Sequence, residues 1–581
     1  MMTRSFNSRP PAGPGVAGLA LCAVLLSACG GESRDETASQ AMPPAAGVEA
    51  GADQRALDVG LAALSADRAL TRINTLASDE FGGRQPGTQG EELTLNYLVE
   101  EFRAMGLEPG NPDGSYLQKV PLVGITADPS MQLTLSHEDS QLTPSYGDDY
   151  VAWTSRVTDT VSVDAELVFA GYGVQAPEFD WDDFKDVDVR DKVIVVLIND
   201  PPLADEDMFG GPAMTYYGRW TYKFEKAAEL GAAGVMIIHE TGPAGYPWEV
   251  IGGSGPRERF DLVTQDRNMD NAAVEGWLTV EQAEAVFDLA GQDLNALKAA
   301  ALQRDFRPVP LGVNAQLTLD NSLREVDSYN VVARLPGSDP ALKDEYVAYM
   351  AHWDHVGTRE VDGETVIYNG AVDNASGTAG VLEVAQGFAA MPEAPARSLL
   401  FIAVTAEEQG LLGSRHYGEN PLYPLADTLA VINLDGMNVL GPTTDLVIVG
   451  LGNSTLDDVA DAVAAETGRT LKPDPEPEKG YFYRSDHFSL AKFGVPALFP
   501  NAGVEFIDRP EGWGVEMRER YTAEDYHKPS DTVRDNWNLE GLVEDARFFL
   551  RLGYRVANDP VKPEWKPGTE FRAIREASLQ E

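Results

Sequence analysis

Residues 346–355 read Tyr346-Val347-Ala348-Tyr349-Met350-Ala351-His352-Trp353-Asp354-His355. Six apolar residues in a row, ended by imidazole and carboxylate, are the pattern of a buried strand whose tip carries chemistry. The pattern recurs twice downstream: Leu399 to Thr405 leads into Glu407-Glu408, and Leu429 to Leu434 into Asp435. In open α/β sheets, functional groups collect beyond the carboxyl ends of the strands, so these tips are expected to meet at one sheet edge. Two further pieces carry the same residue types. Ala371-Val372-Asp373-Asn374-Ala375-Ser376-Gly377 offers a carboxylate ahead of a helix-like stretch, and Tyr526-His527-Lys528-Pro529-Ser530-Asp531 offers another imidazole.

Singly, each residue has a plain structural reading. A histidine ending a strand is ordinarily a hydrogen-bonded structural residue, a Glu-Glu pair a solvated helix start, and a lone Asp before a helix an N-cap. Together they point elsewhere. Five of the seven histidines lie at or after 352, and carboxylates buried at strand tips without compensation are strongly unfavourable. A divalent cation compensates them. Two histidines with three carboxylates exceed what one tetrahedral zinc takes and suit two zinc ions bridged by a shared carboxylate.

The ordered series Ala351-His352-Trp353-Asp354, Val372-Asp373-Asn374-Ala375-Ser376-Gly377, Thr405-Ala406-Glu407-Glu408-Gln409-Gly410-Leu411-Leu412-Gly413-Ser414, Asn433-Leu434-Asp435 and Tyr526-His527 resembles one known family. This is the dizinc exopeptidase family that includes bacterial secreted aminopeptidases, glutamate carboxypeptidase and the transferrin receptor. Leu76-Ala77-Ser78-Asp79-Glu80-Phe81-Gly82-Gly83-Arg84, with Gly106-Leu107-Glu108-Pro109, extends the resemblance towards the amino terminus. It implies an α/β fold, a mixed central β-sheet flanked by helices, carrying a β-rich insert. It also implies two Zn2+ ions: Asp373 bridging, His352 and Asp435 on one ion, Glu408 and His527 on the other. Glu407 becomes the general base, Asp354 the partner that orients His352, and Tyr526 a donor to the tetrahedral oxyanion. The implied reaction is hydrolysis of a terminal peptide bond, with Glu407 taking a proton from the attacking water and returning it to the leaving amine. Arg484, Tyr481, Tyr483 and His487 are expected on the substrate side, behind the proline-punctuated loop Lys472 to Gly480. His355 and His416 are left as structural. An aminopeptidase leads; a carboxypeptidase or dipeptidase, which wants converging cations such as Arg484 and Arg415, and a non-catalytic receptor-like protein remain alternatives.

Outward from this centre, the helix–glycine–strand run Phe224 to Ile238 looks like part of a protease-associated domain, and Ala165 to Ala170 and Lys192 to Ile198 read as buried strands. Leu95, Leu98, Phe102 and Met105, with Gly106 as a stop, predict a helix over roughly 90–105. The expected organisation is a signal peptide over 1–28, a flexible tether over 29–57, a discontinuous catalytic domain over 58–140 and 320–560, the protease-associated insert over 141–319, and a tail over 561–581. Arg4 and Arg9 precede an apolar run too short to span a bilayer, which ends in Leu26-Ser27-Ala28-Cys29. That ending resembles a bacterial lipobox, making Cys29 a lipidation site and the protein a periplasmic or outer-membrane lipoprotein. Cys22 and Cys29 are the only cysteines, which excludes a disulfide scaffold and any Cys-rich zinc module. Over 581 residues, acidic side chains outnumber basic ones 92 to 45, a net charge of -47. That field repels phosphate backbones and anionic lipid surfaces. The expected partners are therefore peptide substrates, with no nucleic acid, a membrane only through the N-terminal lipid, and the oligomeric state left open.

Overall fold

The computed structural model describes residues 46–203, 208–209, 211, 213–253, 257–361 and 363–580. The expected signal peptide, Cys29 and most of the expected tether lie outside them. Met1–Gly51 and Ala52–Glu581 separate as two units, and the second is the one described below.

Two sheets share one strand. Val309–Leu335 is 27 residues long, several times the usual strand. Its first part pairs antiparallel with Thr160–Phe169 and Thr134–His137, its second part with Leu117–Ala127 and Ser398–Val404. A register shift between Pro310 and Asn314 bends the strand. Pro310 brings no N–H to the ladder, and Gly312 supplies the left-handed φ of 65° that the bulge requires.

In the sheet that carries the strand tips, Ser398–Val404, Tyr346–His352, Thr428–Asn433 and Ala497–Asn501 run parallel as successive neighbours. Asp445–Val449 adds antiparallel on that side and pairs in turn with Thr470–Pro473, so the sheet is mixed. Side-chain alternation explains why these runs are apolar throughout. Val347, Tyr349, Ala351, Leu399, Phe401 and Ala403 join one core beneath helices Gln89–Ala104, Gly377–Ala389 and Glu540–Asn558. Tyr346, Ala348, Met350, Leu400, Ile402 and Val404 join another, with Tyr417, Phe488, Leu490 and Phe571. Each such side chain contributes about 1.5–3 kcal/mol by leaving water. The helix expected over 90–105 is Gln89–Ala104, and Gly106 follows it at φ 78°.

The second sheet has parallel strands Thr160–Phe169, Val193–Leu197, Gly234–His239 and Val274–Thr279 at its centre. Helices Val280–Leu289 and Leu294–Ala300 cover one face, and Trp220–Glu229 covers the other.

Three sequence boundaries move. Thr134–His137 and Ser140–Leu142 already pair in the second sheet, so the insert begins before 134 and not at 141. The helix Ala46–Ala62 takes in the last twelve residues of the stretch expected to be tether, and Ala56 and Leu57 are buried. Residues 561–580 are not a free tail: Trp565 and Phe571 are buried in the core, and Trp565 Nε1 donates to Gly494 O at 2.9 Å.

Candidate metal centre

Because Ser398–Val404, Tyr346–His352 and Thr428–Asn433 are adjacent and parallel, their carboxyl ends coincide, with His352 level with Val404 and Met350 level with Asn433. His352 therefore ends one strand, Glu407-Glu408 lies just beyond the second, and Asp435 just beyond the third. Asp373 comes from Ala371–Ser376, a wide helical turn leading into Gly377–Ala389, in which Asp373 and Asn374 have non-helical dihedrals. His527 comes from the loop after Trp513–Glu524 and holds a left-handed φ of 55°, uncommon for a non-glycine residue.

The Asp373 carboxylate lies between two groups. Its Oδ1 is 3.3 Å from His352 Nε2, which is also 3.3 Å from Asp435 Oδ1. Its Oδ2 is 3.1 Å from His527 Nε2, which is 3.0 Å from Glu408 Oε2. The donor atoms of His352, Asp373 and Asp435 fall within 4.8 Å of one another. So do those of His355, Asp373 and Glu408. His355, read as structural, thus stands at the centre, with Nδ1 2.6 Å from Glu408 Oε1. Its one sequence signal is its place three residues after His352.

The electrostatics fit a cation site. Burial disfavours the imidazolium of His352, but Glu407, Asp435, Asp354 and Asp373 outweigh it and hold the group well above the usual histidine range. His527 is raised in the same way by Glu408 and Asp373 against the effect of burial. Burial would raise Asp373, yet His352, His527 and His355 keep it well below the usual carboxylate range. Glu408 is brought down to about 2 by His527 and His355 against burial. Glu407 goes the other way: burial first, then the charges of Asp435, Glu408 and Asp486, push it well up. Carboxylates and imidazoles at this spacing are zinc donors, and a bound cation takes the place of the protons they otherwise share.

A second layer fixes these groups. Arg84, 1% exposed, donates to the carbonyls of Trp353, Leu76, Asn369 and Gly370, tying together the segments that carry His352 and Asp373. Asp354 accepts the Glu407 N–H at 3.0 Å, while His352 Nδ1 is 3.1 Å from the Asp354 carbonyl and 3.7 Å from its carboxylate. The Asp354 side chain therefore holds the Glu407 main chain more closely than it orients His352. Asp531 accepts from the N–H groups of Val372 and Asp373 at 3.0 and 3.1 Å, and Ser485 Oγ donates to Asp435 Oδ2 at 2.6 Å. Sequence reasoning gave neither Asp531 nor Ser485 a role, because a lone Asp or Ser in a loop carries no pattern.

The expected substrate-side residues divide. Tyr526 stacks on His527 with ring centres 3.9 Å apart and is 47% exposed, so it faces the open side of the centre. Crowding on its inner side and the carboxylates Asp373, Glu408, Glu407 and Asp435 push its phenol well up, so it stays a donor. Tyr481 lies beneath the Arg484 and Arg518 guanidiniums, at 5.4 and 5.5 Å. His487 is a correction: it is fully buried between Phe482 and Phe499, and burial lowers it to about 3. Tyr483 is another, since it packs on Tyr216 and Phe488 and donates to Glu570 at 3.3 Å. Arg415 is engaged by Asp261 at 3.2 Å and by Glu419 at 3.3 Å.

Residues 330–549, which contain every one of these metal-site residues, match the family model described as Peptidase family M28. The chain is 37% identical over 112 residues to a probable zinc metalloprotease of Pyrenophora teres f. teres, covering 19% of this chain and 23% of that protein. It is 25% identical over 378 residues to a probable glutamate carboxypeptidase of Arabidopsis thaliana, covering 60% of this chain and 48% of that one. The chain thus spans about a quarter of the length of the curated relatives it matches first, 23% and 24%. Among solved structures it is similar to the aminopeptidase from Aneurinibacillus sp. strain AM-1, at 20% identity over 88% of this chain and 98% of that one, with a TM-score of 0.49.

Proposed function

We propose that this chain is a zinc-dependent metallo-exopeptidase of aminopeptidase type that holds two zinc ions, acts on peptides, and is anchored in a bacterial envelope through a lipid on Cys29. The observation that carries the reading is the Asp373 carboxylate, shared between His352 with Asp435 and His527 with Glu408, with Glu407 beside it. Zinc at such donors polarises a carbonyl and acidifies water. The chain's own residues do the rest. Glu407, whose one ion pair among the described residues is a long 3.9 Å to His352 Nε2, is placed to take a proton from water and return it to the leaving amine. Tyr526 keeps its proton and offers an O–H to the charge that develops on the carbonyl oxygen.

Glu407→Gln should keep the zinc content of the wild type while turnover of free peptides falls by about 10²–10⁴-fold; metal analysis beside a peptidase assay, with and without chelator, checks both. Wild-type rates in that variant would remove Glu407 as the base. The anchor is supported by the sequence around Cys29 alone, and Cys29→Ala should move the expressed protein out of the membrane fraction.

A further inference from the structure

The Glu408 carboxylate has an imidazole on each side. Its Oε2 lies 3.0 Å from His527 Nε2 and its Oε1 2.6 Å from His355 Nδ1, and the two rings stand 5.7 Å apart, edge to face. The two histidines are held in opposite ways. The His527 side chain is 38% exposed, and of the helix that leads to its loop, Trp513–Glu524, only Gly514 is buried. Arg518 and Tyr521 tie that helix to the body by donating to Asp474 and Asp531, both at 3.2 Å. A segment with so little buried apolar surface opens at low cost. His355 lies just beyond the end of strand Tyr346–His352 and is fully buried. Its ring is so close to Gly370 that a Cβ there would come within 2.5 Å of Cγ and Cδ2, so the glycine makes the space that the imidazole fills. Among the described residues its Nε2, also buried, has no hydrogen-bond partner. A buried polar atom left unpaired is costly, and an apolar ring in the same space avoids that cost. With Asp373 and Glu408, His355 makes a second set of three donors, all within 4.8 Å of one another, that shares both carboxylates with His527.

We propose that His355 is a standby ligand of the second zinc ion: when the segment bearing Tyr526 and His527 swings away, His355 joins Asp373 and Glu408 and keeps the ion in place. The proposal rests on the two-zinc reading above and adds a residue to its ligand set. The donor lost with His527 is an imidazole nitrogen and the donor gained is another, so the exchange leaves the charge and the donor chemistry of the position unchanged. The exposed ligand can then move with its loop to admit a peptide or release a product, while the buried one holds the metal.

The test counts bound zinc by metal analysis, after dialysis against a zinc buffer, in wild type, His355→Phe, His527→Ala and the double variant, and locates it in a crystal structure of zinc-loaded His527→Ala. Wild type and both single variants should hold two ions, with zinc affinity in His355→Phe lower by about 10–100-fold, as for loss of a group that orients a ligand. The double variant should lose the second ion. In the crystal of His527→Ala, a His355 nitrogen should lie about 2.0–2.1 Å from zinc, beside Asp373 and Glu408. An empty second position in that crystal, or zinc there without a bond to His355, overturns the proposal, as does equal zinc content in His527→Ala and the double variant. A wild type that holds a single ion removes the two-zinc reading; zinc bound by His355 in His527→Ala then still supports the standby role, and zinc elsewhere overturns it. If the double variant does not fold, the crystal structure decides alone, since His527 is the exposed residue of the pair and its replacement leaves the core intact.

Discussion

His355 sits where the metal centre meets its support. Its Nδ1 lies 2.6 Å from Glu408, and it shares a donor cluster with Asp373. A group that orients a metal-binding carboxylate commonly sets metal affinity by about 10–100-fold. His355→Phe keeps the buried volume and removes the donor, so zinc affinity in a competitive chelator titration should fall by about that factor with little change in melting temperature. Unchanged affinity would reduce His355 to packing. Single residues also mark how far the sequence could be read. His352, Asp373, Glu407, Glu408, Asp435 and His527 were legible because each ends an apolar run or sits in an ordered series of motifs. Asp531 and Ser485 were not, since their roles exist only through contacts between distant segments. His487 was misread because a Ser-Asp-His run looks the same whether its ring reaches the cleft or packs between Phe482 and Phe499.

Among the elements, the strands were the most legible part. Runs such as Leu399 to Val404 are apolar at every position because both faces of the strand are covered. The segment after 560 was illegible for the opposite reason: its anchors, Trp565 and Phe571, stand among Lys, Glu and Pro, and the core they complete is built from elsewhere. The strand Val274–Thr279 carries a further consequence. Glu275 accepts from Trp153 Nε1 at 3.0 Å and Ser155 Oγ at 2.9 Å, and burial pushes it from its ordinary 4.5 up to about 7. Between those values the folded protein holds a proton that the unfolded chain has lost. This contribution is therefore fully present below pH 4.5 and is lost as the pH rises to about 7, on the order of 3 kcal/mol in all. Glu275→Gln keeps the hydrogen-bonding shape without the titration. Denaturant midpoints measured from pH 4.5 to 7 should fall less steeply in the variant than in wild type; parallel curves would contradict the assignment.

Across the whole molecule, the net charge of -47 and the metal centre have different origins. The centre gathers a handful of carboxylates at one sheet edge, and most of the acidity lies outside it, some of it buried, as at Glu275 and Asp545. The spacing of the two sheets depends on how they are joined. Val309–Leu335 joins them without a loop, as one ladder that pairs with Thr160–Phe169 on one side of Asp320 and Leu117–Ala127 on the other. A flexible linker would let the second sheet swing. A continuous strand works as a stiff covalent ruler, setting the gauge between the two sheets when the chain folds.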